Sequence, residues 1–310
     1  MNSTRVVGVL GLAAALAGCS SASGGTPGRA ATLAESGAGR PTVAADARSG
    51  AAYVGWVADS AGVPGLYLAR VAEDGAAGAP SRVNHVAGEA SGHDQAPPHV
   101  AVGPGGEVYV AWQRSTQVPG RAFPASDLRF ARSEDGGRTF PAATTVNDDA
   151  GGLPSSHTFH NLAVAADGTM WVSWIDSRER DRLRAERIAA GLLEPAAPGK
   201  HGGHGARSAG EEELPGPEIR VARSQDGGRT FGSSETVVGD ACPCCRTALA
   251  VGPDGAVYVA WRKVFPGDVR DVVVARRGPG EARFSEPRRV HADGWVFPGC
   301  PHAGPSVAVD

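Results

Sequence analysis

A four-residue segment ending in tryptophan recurs four times along the chain, and this recurrence limits the fold more than any other feature. The copies are Tyr53-Val54-Gly55-Trp56, Tyr109-Val110-Ala111-Trp112, Trp171-Val172-Ser173-Trp174 and Tyr258-Val259-Ala260-Trp261. Each is preceded by a shorter apolar run that starts at Pro41, Pro98, Asn161 or Ala248. Three of the four connections carry turn residues, at Gly103–Gly106, Asp167-Gly168 and Pro253–Gly255. Alternating apolar runs joined by such turns read as β-hairpins. The tryptophans lie 56, 62 and 87 residues apart, the last interval being lengthened by an insertion. Self-similarity at such a period signals a propeller or solenoid. A further copy opens at Pro305–Val309.

Every hairpin is followed by a third strand-like run, at Leu66–Arg70, Leu128–Arg132, Ile219–Arg223 and Val272–Arg276. Two of these lead into one octet, Ser133-Glu134-Asp135-Gly136-Gly137-Arg138-Thr139-Phe140 and Ser224-Gln225-Asp226-Gly227-Gly228-Arg229-Thr230-Phe231. The aspartate can accept backbone N–H groups of its own turn, the glycines permit positive φ, and the phenylalanine can pack beneath. The octets resemble the Asp-box, or bacterial neuraminidase repeat, of the sialidase superfamily. Over roughly residues 40 to 310 the resemblance implies an all-β, sialidase-like propeller of four-stranded antiparallel blades. Ser133, Asp135, Gly137 and Phe140, with Ser224, Asp226, Gly228 and Phe231, would then be structural. Four blades and the start of a fifth are visible; six blades of about 58 residues need a longer chain, so a truncated six-bladed type is expected.

The first nineteen residues have the layout of an export signal, with Arg5, an apolar run from Val6 to Ala17, and Leu16-Ala17-Gly18-Cys19. This resembles the bacterial lipoprotein signal, which implies a lipid on Cys19 and a cell-envelope protein outside the cytoplasm. Residues 20–38 read as a flexible tether and 39–310 as the propeller. The run is too short to span a bilayer. With 30 Lys+Arg against 33 Asp+Glu the net charge is -3, and no nucleic-acid partner is implied; membrane contact is expected through the lipid alone. At about 179–217 a charged insertion interrupts the repeat; it has helical character from Arg180 to Leu193, then His201, His204 and Glu211–Glu213.

In a propeller, the loop before the first strand of each blade crosses from rim to axis, so its residues line the mouth of the channel. All four cysteines other than Cys19 fall in these loops: Cys242, Cys244, Cys245 and Cys300. So do His93, His99, His157, His160 and His302. Thiolate and imidazole together suit zinc or copper(I). In an oxidising compartment, a pair of disulfides bracing neighbouring loops fits the same cysteines.

Arg40 and Arg246 occupy one repeat position in the mouth loops, and Asp94 lies beside His93. The resemblance implies an exo-α-sialidase or related glycoside hydrolase as one alternative, with these arginines holding an anionic sugar and Asp94 as acid/base. Against it, the four tyrosines sit at third-strand or second-strand positions, and no nucleophile stands out. The leading expectation is a propeller that binds a small molecule, glycan or metal ion through its Cys/His/Arg-lined face. A protein-interaction scaffold with disulfide-braced loops is the third.

Overall fold

The computed structural model describes residues 32–34, 37–60, 62–90, 94–119, 121, 123–195 and 214–310. Cys19, His93, His201, His204 and Glu211–Glu213 lie outside the described residues. The chain forms four four-stranded antiparallel sheets, each built from consecutive strands. The first holds β1 (Ala38–Asp46), β2 (Ala51–Ser60), β3 (Val63–Val71) and β4 (Ser81–Arg82). The second holds β5 (His99–Val102), β6 (Val108–Thr116), β7 (Ala125–Ser133) and β8 (Thr144–Thr145). The third holds β9 (His157–Val164), β10 (Met170–Asp176), β11 (Glu218–Ser224) and β12 (Glu235–Val238), with helix α1 (Arg178–Ala189) between β10 and β11. The fourth holds β13 (Ala248–Val251), β14 (Val257–Arg262), β15 (Val272–Arg277) and β16 (Arg288–Arg289).

The first strands β1, β5, β9 and β13 touch one another in succession, as inner strands of adjacent blades do. This is a β-propeller arrangement, and the repeated tetrad is its core: Trp112, Trp174 and Trp261 are almost wholly buried on the second strands. Apolar clusters fill each seam, with Leu66, Leu68 and Val110 between the first two blades, Phe130 and Val172 in the next, and Ile219 and Val259 in the last. Such seams stabilise by burying apolar area, roughly 25 cal/mol per Å². Residues 305–310 form no strand; they run beside the fourth blade, where a Cβ on Gly252 would lie 3.1 Å from Val309 Cγ1.

The two octets are closed turns after the third strands β7 and β11. Asp135 Oδ1 accepts the N–H groups of Arg138 and Thr139 at 3.0 Å, and Ser133 Oγ accepts that of Gly137 at 2.8 Å. Asp226 and Ser224 repeat the pattern on Arg229, Thr230 and Gly228. Positive φ at Gly136, Gly137, Gly227 and Gly228 makes the turn possible. Each turn also packs on the preceding blade: a Cβ on Gly137 would meet Leu68, and one on Gly228 would meet Phe130. Helix α1 buries no residue. Glu179 and Asp181 in its first turn complement the helix dipole, and Arg182 pairs with Glu179 and Glu186 along one face.

Candidate functional site

Because neighbouring strands alternate in direction, the loops between blades and the connections from second to third strands lie at one end of the sheets. The octets lie at the other. At the crossing end, residues 239–247 wedge between the third and fourth blades. The Ala241 N–H bonds to Pro217 O at 3.0 Å, the Cys242 N–H to Arg262 O at 2.9 Å, and the Thr247 N–H to Phe159 O at 3.1 Å. Backbone pairing at both ends of the loop therefore fixes the Cys242–Cys245 segment.

The three sulfurs of Cys242, Cys244 and Cys245 lie within 4.8 Å of one another and are buried. Cys244 is bonded to Cys300, with Cα atoms 5.9 Å apart, whereas Cys242 and Cys245 are free. Of the pair of disulfides weighed from the sequence, one forms. Cys242 Sγ shares a hydrogen bond with Cys245 Sγ at 3.3 Å and accepts another from Arg270 Nη1 at 3.2 Å. The bond between Cys242 and Cys245, together with the Cys244 N–H and the Arg270 charge, holds the Cys242 thiol below its usual range against the effect of burial. The Cys245 thiol is correspondingly pushed up, chiefly by its bond to Cys242 and by burial.

Arg270 and Arg262, which the sequence reading passed over, organise the second wall of this site. Arg270 Nε donates to Phe297 O at 2.6 Å; Arg262 Nε donates to Ala303 O at 2.9 Å and its guanidinium stacks over Trp295 at 4.6 Å. The fully buried Asp271 accepts the N–H groups of Gly294 and Trp295 and pairs with Arg289. These bonds fold residues 290–303 over the sulfurs and bring in Cys300 and, two residues on, His302. A positional signal existed: Arg262 ends β14 and Arg270 precedes β15, so both had to lie at the crossing end.

The histidines divide into two groups. His99 and His160 meet edge to face with ring centroids 5.1 Å apart. His160 reaches this place through a bulge, because Phe159 and His160 together oppose Trp174, between the Thr158–Ile175 and Asn161–Ser173 pairs, and Phe159 takes φ 54°. His160 Nε2 bonds to Ala111 O at 3.1 Å, which leaves Nδ1 buried and unpartnered; His99 Nε2 is unpartnered too. Burial, with the charges of His160 and Arg246, brings the His99 imidazole down to about 3, and burial brings that of His160 down to about 4. Both rings are neutral at ordinary pH and have lone pairs to offer.

His157, expected among the metal ligands, is elsewhere. Its Nδ1 faces Ser126 O at 2.5 Å, and its Nε2 faces Asp149 Oδ1 at 3.0 Å and Asp176 Oδ2 at 3.4 Å. Burial opposes its charge, but the Asp149 bond and the two carboxylates outweigh it and raise its pKa. With both nitrogens committed, the ring has none left for a metal. Arg178 completes this network by a forked contact with Asp176.

For the hydrolase alternative, Arg40 Nε lies 3.2 Å from Asp94 Oδ1, whose side chain is 84% exposed. Arg40 sits in a bulge opposite Trp56 with φ 57°, the counterpart of the bulge at Phe159. Arg246 is exposed. Tyr53 and Tyr109 are core residues, Tyr67 stacks on Trp56, and Tyr258 bonds to Arg276. The tyrosines thus serve the scaffold, and the arrangement around Arg40 shows an ion pair in place of a separated acid and nucleophile.

No protein-family model matches the chain, and no curated protein does. Among solved structures, a protein of unknown function from Dyadobacter fermentans aligns with a TM-score of 0.51 and 14% identity over 81% of this chain and 68% of that one. The α-L-arabinanase of Penicillium chrysogenum, complexed with arabinobiose, aligns with a TM-score of 0.50 and 12% identity over 84% and 69%. A Hadza microbial sialidase gives a TM-score of 0.42 and 16% identity over 77% of this chain, which spans about half (48%) of that protein. At these identities the likeness is one of fold alone.

Proposed function

We propose that this chain is an exported, lipid-anchored propeller with Asp-box turns, and that it binds a thiophilic metal ion, zinc or copper(I), at its crossing end. The observation that carries the reading is the group of three buried sulfurs within 4.8 Å of one another. Thiolates are the ligands such ions prefer, and a coordinating thiol must be deprotonated. The Cys245 bond, then the Cys244 N–H and the Arg270 charge, lower the Cys242 pKa and favour its thiolate. In the bonded state Cys244 and Cys300 are withdrawn from ligation; reduction returns both sulfurs to the group, so metal and disulfide compete for Cys244. His302 follows in the same loop and stands as an imidazole candidate.

The test is elemental analysis of reduced, chelator-stripped protein reloaded with zinc or copper(I). One equivalent retained through gel filtration, and lost in Cys242→Ser and Cys245→Ser, is the expected result. Reduced wild-type protein that retains no metal would overturn the reading. Anchoring through Cys19 is a separate claim: the full-length protein should fractionate with membrane and carry a lipid mass on Cys19. Detergent-free release with Cys19 unmodified would end it.

A further inference from the structure

Cys242-Pro243-Cys244-Cys245 is a Cys-x-x-Cys segment with a third cysteine inside it. Its sulfurs are ordered for exchange. Cys242 Sγ stands 3.6 Å from Cys244 Sγ and 3.3 Å from Cys245 Sγ, and Cys244 Sγ is already joined to Cys300 Sγ. Cys242, Cys244 and Cys245 are buried, whereas Cys300 is half-buried. Exchange needs a sulfur nucleophile in contact with one sulfur of a disulfide, and a second thiol to resolve the product. Both contacts are present, and Arg270 Nη1 holds the attacking sulfur by a hydrogen bond at 3.2 Å.

We infer that the four cysteines form an internal thiol–disulfide relay, which moves the disulfide from Cys244–Cys300 to Cys242–Cys245 and frees Cys300 as a half-buried thiol able to reduce a small accessible disulfide. In the first step Cys242 Sγ, as thiolate, attacks Cys244 Sγ. The Cys242–Cys244 bond forms, the Cys244–Cys300 bond breaks, and the electron pair leaves on Cys300 Sγ, which takes up a proton. In the second step Cys245 Sγ gives up its proton and attacks Cys242 Sγ. The Cys242–Cys245 bond forms and the pair returns to Cys244 Sγ, which is protonated. One disulfide and two thiols exist before and after, so no external oxidant or reductant is consumed. The pair Cys244 and Cys300 can then pass two electrons to a small disulfide, releasing two thiols and closing the Cys244–Cys300 bond again.

Burial gives the relay its direction of reading: with Cys244–Cys300 closed, both free thiols are inside, and with Cys242–Cys245 closed, one is only half-buried. Arg270 is a positioning residue here. Nothing in the relay depends on metal binding, so the experiment is run in chelator and its failure is separate from failure of the metal reading.

Oxidised wild-type protein is held under native conditions with iodoacetamide, then denatured, blocked with N-ethylmaleimide and mapped by mass spectrometry without reduction. The expected product carries carbamidomethyl on Cys300 and maleimide on Cys244, with Cys242 and Cys245 joined. Cys242→Ser should slow labelling of Cys300 at least tenfold. Cys245→Ser should stop after the first step, with Cys300 labelled and Cys242 joined to Cys244. Wild-type protein that keeps Cys244–Cys300 intact with Cys300 unlabelled would overturn the relay, whether or not Cys242→Ser folds. So would labelling of Cys300 in folded Cys242→Ser at the wild-type rate.

Discussion

The octet turns at one end and the crossing loops at the other are built on opposite terms. In each octet the aspartate carries two backbone donors on Oδ1 and a threonine hydroxyl on Oδ2, and two blades do this with nearly the same distances. At the crossing end the loops differ in length and content, although the bulges at Arg40 and Phe159 correspond, and buried ring nitrogens of His99 and His160 have no partner. Unmade hydrogen bonds in a buried place cost free energy, about 1–3 kcal/mol each. The difference separates what the propeller needs in order to fold from what it tolerates for another purpose. Repetition marks scaffold even where a polar atom is left without a partner, as the buried Nε1 atoms of Trp112 and Trp261 are; the His99–His160 pair is unsatisfied and belongs to no such repeat.

The largest effect that would sharpen this contrast is acid destabilisation from the crossing end. His99 and His160 have folded pKa values of about 3 and about 4, below the unfolded value near 6.5. The unfolded chain therefore binds more protons below pH 6.5, and stability is fully present above that pH and falls as pH drops toward 4. At pH 5 each ring accounts for a loss of about 2 kcal/mol, about 4 kcal/mol for the pair. Urea unfolding at pH 7 and pH 5, compared between wild type and a His99→Phe/His160→Phe variant, should show that much excess pH dependence in the wild type. Equal pH dependence would mean that the two rings ionise in the folded state and are not the neutral pair described.

Next come the octet glycines, where the satisfied end should break. A Cβ at Gly228 would lie 2.2 Å from Phe130 Cε1 at φ 78°, and at Gly137 2.6 Å from Leu68 Cδ2 at φ 81°. The left-handed backbone alone costs a non-glycine residue about 1–2 kcal/mol, and overpacking adds about 1–3 kcal/mol. Gly228→Ala should be the more harmful, because a ring edge yields less than a leucine methyl. Metal stoichiometry should be unchanged in any Gly228→Ala protein that folds. Its loss would couple the two ends and undo the separation.

Smaller again is removal of the octet carboxylate. Asp135→Ala and Asp226→Ala delete the acceptor for two N–H groups, but these donors are exposed and water replaces much of the bond, so a cost of about 1 kcal/mol is expected in each. Both carboxylates lie well below the usual range, Asp135 chiefly through Ser133 and Asp226 through Thr230. Their contribution is thus present above pH 4 and is lost only as pH falls below it. In acid unfolding the octets should fail after the histidine pair, and the two aspartate variants should leave the pH 7 to 5 interval untouched.

How far each end could be read from sequence follows from the same contrast. The blades were legible because the tetrads, the Gly turns and the octets recur, and recurrence separates signal from accident without any structure. The crowding of cysteines into two crossing loops was legible for the same reason. The bulges at Arg40 and Phe159 were not, since they depend on two residues opposing one tryptophan across a strand pair, a matter of register that composition does not encode. Nor was the place of His157: its mouth-loop position grouped it with the cysteines and His302, but its ring turns away toward Asp149 and Asp176. Arg270 escaped notice because its value lies in what the loop 290–303 brings to it from later in the chain.

The smallest expected effect has the opposite sign and comes from His157, a crossing-end histidine that is satisfied as the octets are. Both its nitrogens face acceptors, its side chain is 2% exposed, and its pKa is raised. A raised folded value means that its contribution is fully present below the unfolded pKa near 6.5 and is lost as pH rises through the folded one. Asp149 shows the reciprocal shift: burial would raise it, but the His157 bond and the charges of His157 and Arg178 bring it well below the usual range. In His157→Asn the amide can donate to a carboxylate but cannot carry charge, so the variant should lack the alkaline decline. The stability difference between wild type and variant, measured by urea unfolding from pH 6 to pH 9, should therefore shrink as pH rises, and the His157 ring proton signal should titrate above 6.5. A difference that stays constant across that range would mean a neutral ring, and His157 would then belong with His99 and His160 after all.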